Sequence, residues 1–142
     1  MEPTAIQAID YDYADNRTFI ENTNAATPTT GQQLQNYQCL FQGQSIVSAN
    51  GTYVFIVQED GNAVIYHGTN AIWTSNTYGL TGAFVQMDED GNFILYDPQF
   101  RILWSTNTTN NPTARVIIQS DGNLVLYSSS GAVLWQSNTA GR

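Results

Sequence analysis

A single pattern, written three times at an almost constant period, constrains this chain more than anything else in it. Gln58-Glu59-Asp60-Gly61-Asn62-Ala63-Val64-Ile65-Tyr66 returns as Asp88-Glu89-Asp90-Gly91-Asn92-Phe93-Ile94-Leu95-Tyr96, and again as Gln119-Ser120-Asp121-Gly122-Asn123-Leu124-Val125-Leu126-Tyr127. Behind each copy stand a tryptophan and a short polar run: Trp73-Thr74-Ser75-Asn76-Thr77, Trp104-Ser105-Thr106-Asn107-Thr108 and Trp135-Gln136-Ser137-Asn138-Thr139. Asp60, Asp90 and Asp121 are 30 and 31 residues apart, and the tryptophans 31 and 31. Self-similarity at a fixed period means copies of one small unit, each burying a face against its neighbours.

Asp-Gly between alternating apolar residues is a hairpin signal, because the turn needs a residue that tolerates positive φ. Each copy therefore reads as strand, turn, strand. A period of two separates its faces. Phe55, Val57, Ala63 and Ile65 point one way in the first copy, with Val85, Met87, Phe93 and Leu95 in the second and Val116, Ile118, Leu124 and Leu126 in the third. These faces are apolar throughout and must be buried. Opposite them lie Gln58, Val64 and Tyr66; Asp88, Ile94 and Tyr96; and Gln119, Val125 and Tyr127.

That second face needs its own account. Asp and Asn beside a turn are explained by their habit of bonding nearby backbone. Turn chemistry does not explain why an amide, a branched aliphatic and a tyrosine recur at the same outward offsets. A carboxylate, two amides and a phenol around a small aliphatic patch suit a sugar: the polar groups meet vicinal hydroxyls, and the aliphatic meets the C–H face of the ring.

With their Gln-x-Asp-x-Asn-x-Val-x-Tyr signature, complete in the first and third copies, these residues resemble the monocot bulb-type mannose-binding lectins. The resemblance covers about residues 40–142. It implies an all-β fold, the β-prism II: three four-stranded antiparallel sheets with pseudo-threefold symmetry and one carbohydrate site per sheet. It further implies that Asp60 and Asn62 bond the axial O2 hydroxyl of mannose, Gln58 bonds O3, Tyr66 bonds O4, and Val64 packs on C3 and C4. Gln119, Asp121, Asn123, Val125 and Tyr127 would take the same roles. In the second copy, Asp88, Asp90, Asn92, Ile94 and Tyr96 depart from the signature. Asp88 removes an amide donor and sets a second carboxylate near Asp90, where like charges disfavour double ionisation. Ile94 adds a methylene. A weaker site is expected there. The plant family also bridges cysteines across its first repeat, whereas Gly61 holds that position here and the bridge is absent.

The expected organisation is an acidic N-terminal extension over residues 1–38 and a lectin domain over 39–142, with repeats at about 50–78, 80–109 and 111–139. Asp10, Asp12 and Glu21 have a faint calcium-loop spacing, but Ala14 takes a ligand position and Asp15 the glycine position, so no metal is assigned. Arg17–Thr23 has the character of an added strand. The three tryptophans are expected to meet at the prism axis rather than to form a sugar-stacking surface.

Composition narrows the function. A net charge of −8 with no lysine argues against nucleic acid and against anionic membranes. No stretch approaches the ~20 apolar residues of a membrane span. One histidine, His67, and one cysteine, Cys39, leave no His/Cys metal site, no catalytic triad and no internal disulfide. The repeated Asp60, Asp90 and Asp121 offer one carboxylate per site where a glycoside hydrolase needs two, and only Asp88 with Asp90, in the single degenerate repeat, could supply a pair. The expectation is a binding protein without catalysis or cofactor. Its partners would be mannose and mannose-rich glycans or glycoproteins, bound multivalently by a homodimer or higher homo-oligomer. The family's exchange of the C-terminal strand would involve Val133–Thr139. The alternative is a β-prism protein-interaction, antibacterial or toxin module in which the sugar sites are secondary. No basic-then-apolar leader is visible. The chain is therefore cytoplasmic, released without a visible signal peptide, or secreted if its numbering starts at a mature or engineered terminus.

Overall fold

A computed structural model describes residues 31–79 and 81–142. Asp10, Asp12, Glu21 and the Arg17–Thr23 stretch lie outside these residues. The described part holds twelve strands: β1 (Gln33–Gln35), β2 (Cys39–Leu40), β3 (Ser45–Val47), β4 (Tyr53–Val57), β5 (Ala63–His67), β6 (Asn70–Thr74), β7 (Phe84–Met87), β8 (Phe93–Tyr96), β9 (Ile102–Ser105), β10 (Arg115–Ile118), β11 (Leu124–Tyr127) and β12 (Val133–Gln136). Among the described residues, no helix is long and apolar enough to cross a membrane.

The strands form three four-stranded sheets: β3-β4-β5-β6, β2-β7-β8-β9 and β1-β10-β11-β12, here the first, second and third sheets. Every pairing is antiparallel. The three-sheet, threefold architecture is the one the family resemblance implies. Each sheet takes three strands from one repeat and its fourth from a short leader, residues 33–47. That leader lays one strand on each sheet in turn. The expected boundary at residue 39 is thus too late: β1 lies in the stretch assigned to the extension and pairs with β10, Leu34 opposite Val116. The repeat pattern does not extend to the leader, so periodicity could not mark it.

The inward faces close one common core. Phe55, Ile65, Val85, Phe93, Leu95, Val116, Leu124 and Leu126 are fully buried, joined by Leu34, Leu40 and Ile46 from the leader. Trp73, Trp104 and Trp135 pack edge-to-face around the axis, with centroids 5.4, 5.9 and 5.5 Å apart. They are half-buried and rest against the core. β12 pairs with β11 of its own chain, Leu126 opposite Trp135.

Candidate functional site

The turn is a three-residue loop, Glu59-Asp60-Gly61, closed by Gln58 N–H donating to Asn62 C=O at 2.9 Å. Within it Gly61 alone takes positive φ, 89°. This loop length puts Gln58 opposite Asn62 and so turns both side chains to one face. Continuing outward-facing pairs are Ile56 with Val64 and Val54 with Tyr66. The second sheet repeats the arrangement with Asp88 and Asn92, Gln86 and Ile94, Phe84 and Tyr96. The third has Gln119 and Asn123, Ile117 and Val125, Arg115 and Tyr127. Each set of motif residues is therefore brought together on the outside of its own sheet.

In the first cup, Gln58 Nε2 donates to both oxygens of Asp60 at 3.2 Å, and the Tyr66 hydroxyl donates to Gln58 Oε1. Asp60 Oδ1 also accepts the Asn62 backbone N–H at 2.9 Å. One carboxylate oxygen is thus tied to the turn, and the group is exposed. The third cup keeps the glutamine–tyrosine pairing with its sense reversed, Gln119 Nε2 donating to the Tyr127 hydroxyl, and again Asn123 N–H donates to Asp121 Oδ1 at 2.9 Å. In the second, the Tyr96 hydroxyl donates to Asp88 Oδ2 at 3.1 Å, so the carboxylate takes over the amide's hold on the tyrosine.

The polar runs behind the tryptophans support the cups, a role their recurrence alone did not reveal. Asn62 Oδ1 accepts from Ser75 Oγ at 3.1 Å and from Thr77 N–H at 3.3 Å, while Thr77 Oγ1 donates to Gly61 C=O at 2.7 Å. Thr106 and Thr108 hold Asn92 in the same way, and Ser137 and Thr139 hold Asn123. A backbone donor on Oδ1 fixes the amide's orientation and turns Nδ2 outward as a donor. In the third cup that nitrogen is engaged by Gln136 Oε1 at 2.8 Å. The next linker then clasps each motif from behind, with Gly79 N–H on Asp60 C=O, Asn111 on Asp90 and Gly141 on Asp121 at 2.5, 2.9 and 2.7 Å. This clasp is why Gly91 must be glycine: a Cβ there would stand 2.2 Å from Asn111 C=O.

Two expectations change. Val64, Ile94 and Val125 face outward but are only 2, 4 and 3% exposed. They are absent from the central cluster, so they form the floor of each cup beneath its polar residues and offer a ring little contact. The carboxyl of Asp88 does titrate above the ordinary carboxylate range, but burial is the main cause; the Tyr96 hydroxyl opposes it, and Asp90 adds the least. His67 ends β5 and packs at a tilt on Tyr53, with ring centroids 4.7 Å apart.

No protein-family model matches the chain. It is 39% identical over 64 residues to a mannose-specific lectin of Galanthus nivalis, which is 42% of this chain and 41% of that protein. The chain spans less than half the length of the sequence relatives it first matches. Among solved structures, a monomeric monocot mannose-binding lectin from Gastrodia elata is 33% identical with a TM-score of 0.73, over 78% of this chain and 99% of that one. The snowdrop agglutinin complexed with methyl-α-D-mannoside is 35% identical with a TM-score of 0.65, over 69% and 90%. Such proteins are lectins, which bind carbohydrate without catalysing a reaction on it. Three sheets, a motif cup on each and these likenesses agree: the chain belongs to the bulb-type lectin family.

Proposed function

We propose that this protein binds mannose and mannose-rich glycans, chiefly through the first and third cups, and acts by multivalent attachment rather than catalysis. The observation that carries this reading is the pair of complete cups. In each, a carboxylate tied to its turn through one oxygen, a fixed asparagine amide and a tyrosine hydroxyl linked to a glutamine share one face. An axial and an equatorial hydroxyl on adjacent carbons would meet Asp60 and the Asn62 Nδ2 donor, and a third would meet the Gln58–Tyr66 pair. Gln136 must release Asn123 before the third cup presents the same donor, so that cup should bind more weakly than the first. The name of the Galanthus relative and the mannoside held by the snowdrop protein support the choice of sugar.

One exposed sugar held by a few hydrogen bonds gives roughly millimolar affinity, about −4 kcal/mol. Several cups engaging one glycan-coated surface raise avidity by ~10²–10⁴. A homodimer or higher homo-oligomer would multiply the cups further. The expected behaviour is retention on immobilised mannose and elution by free methyl α-mannoside. Asp60→Ala combined with Asp121→Ala should abolish retention while leaving the circular dichroism spectrum intact. Unchanged retention of that double variant would sink the assignment.

A further inference from the structure

The second copy breaks the pattern, and its surroundings are also built differently. Asp88, Glu89 and Asp90 line an open cleft of about 400 Å³ with Gln86 and Tyr96, and two further aromatic rings, Tyr37 and Phe100, complete it. That volume lies in the range of small-molecule sites. Tyr37 and Phe100 are 51% and 65% exposed, yet they hold φ of 68° and 64°. Among the described residues they are the only aromatics in this left-handed region, which disfavours any residue with a Cβ. Such strain gathers where side chains are held for a ligand.

Both rings are fixed in place. Tyr37 N–H donates to Met87 C=O at 2.7 Å and its hydroxyl to Glu89 Oε1 at 3.0 Å. Phe100 sits in a turn organised by Asp97, which accepts from Gln99 N–H and Arg101 N–H at 2.8 and 2.9 Å. It also packs on Phe84 and Tyr96, with centroids 5.4 and 5.5 Å away. The sister sheets have nothing comparable: Ser128–Gly131 and His67–Asn70 fill the equivalent turn without an aromatic ring beyond the histidine.

The cleft's charge is one-sided. Its lining holds three carboxylates and no cation, and the adjacent Arg101 is turned to Asp97 at 2.7 Å. Three carboxylates by themselves describe a solvated turn; a cleft between two fixed rings, on a sheet whose sisters carry sugar cups, does not. Where Gln58 both donates and accepts, Asp88 only accepts. A neutral sugar loses a donor here, whereas a cationic sugar gains a partner.

We propose that the second cup takes a sugar bearing a free amino group, a hexosamine unit of a deacetylated glycan, with its ammonium against Asp88 and Asp90 and its ring between Tyr37 and Phe100. The assignment rests on the sugar-binding reading of the motif but uses residues the mannose cups lack. The ammonium supplies only donors to groups that only accept, and its charge gains further from the flanking ring faces. Burial holds the Asp88 carboxyl above its usual range, and an ammonium beside it would restore the ionised form.

The test titrates a short glucosamine oligomer, its fully N-acetylated counterpart, spermidine and methyl α-mannoside into the intact protein, followed by NMR. The free-amine oligomer should bind at least about tenfold more tightly than the acetylated one and shift Tyr37 and Phe100 resonances. Asp88→Gln restores the residue found in both sister cups, so it should fold; it should remove the amine preference and leave mannoside binding at the other cups unchanged. Phe100→Ala should weaken the oligomer without touching the mannoside. Asp60→Ala with Asp121→Ala should do the reverse, so loss of either activity alone identifies which reading fails. Equal binding of the acetylated oligomer, equal binding of spermidine, or an unaltered preference in Asp88→Gln would overturn the proposal.

Discussion

Cys39 shows how far a single residue's chemistry departs from its exposure. It lies on the outer face of the second sheet opposite Gln86, partly open to solvent. Its Sγ donates to Tyr37 C=O at 3.3 Å, and burial foremost, with Asp88 behind it, pushes the thiol up to about 12. Thiolate is the reactive form, so labelling by a disulfide reagent at pH 8 should run at least about a hundredfold slower than for a free cysteine and recover in urea. Fast labelling of the folded protein would contradict the raised thiol. Residue identities in the motif were legible beforehand because side-chain type and turn chemistry speak directly. Depth was not: alternation placed Val64 on the outer face, but only the folded sheet shows Gln58 and Tyr66 closing over that floor.

Between residue and fold, the unit that matters is a cup with its polar strap. Asn123 and the Ser137–Thr139 strap lie 14 to 16 residues apart, and their bonds join the residue before β11 to the run that follows β12. The recurrence of Ser/Thr-Asn-Thr was plain in the sequence, but its purpose was not, because a hydrogen bond over that separation leaves no periodic trace. Thr139 is 1% exposed, and its hydroxyl donates to Gly122 C=O at 2.6 Å. Thr139→Val keeps the volume and strands a buried carbonyl, which should cost about 1–3 kcal/mol in urea unfolding. Mannoside binding in the third cup should weaken with it, since the strap also holds Asn123. A variant as stable as the parent would mean that the strap is ornamental.

At the scale of the whole molecule, three sheets share one core and one tryptophan cluster, and the leader ties them edge by edge. Three like hairpin units are readable from the repeat, while the leader has no repeat to match, so part of it reads as an extension. Leu34 carries the test: it is fully buried on β1 against Val116. Leu34→Ala should lower stability by about 2–5 kcal/mol. Tryptophan fluorescence and far-ultraviolet circular dichroism should still report one coincident transition, because no sheet has a core of its own. Separate transitions would mean that the sheets fold independently. A ribosome adds a further constraint. It releases Gln33–Gln35 long before the Arg115–Ile118 segment that must lie beside it, so a nascent chain carries that strand as a bare edge until the last repeat has emerged. Closure of the prism therefore waits for the last repeat, and a chain stalled before residue 115 would be a sticky intermediate rather than a smaller lectin.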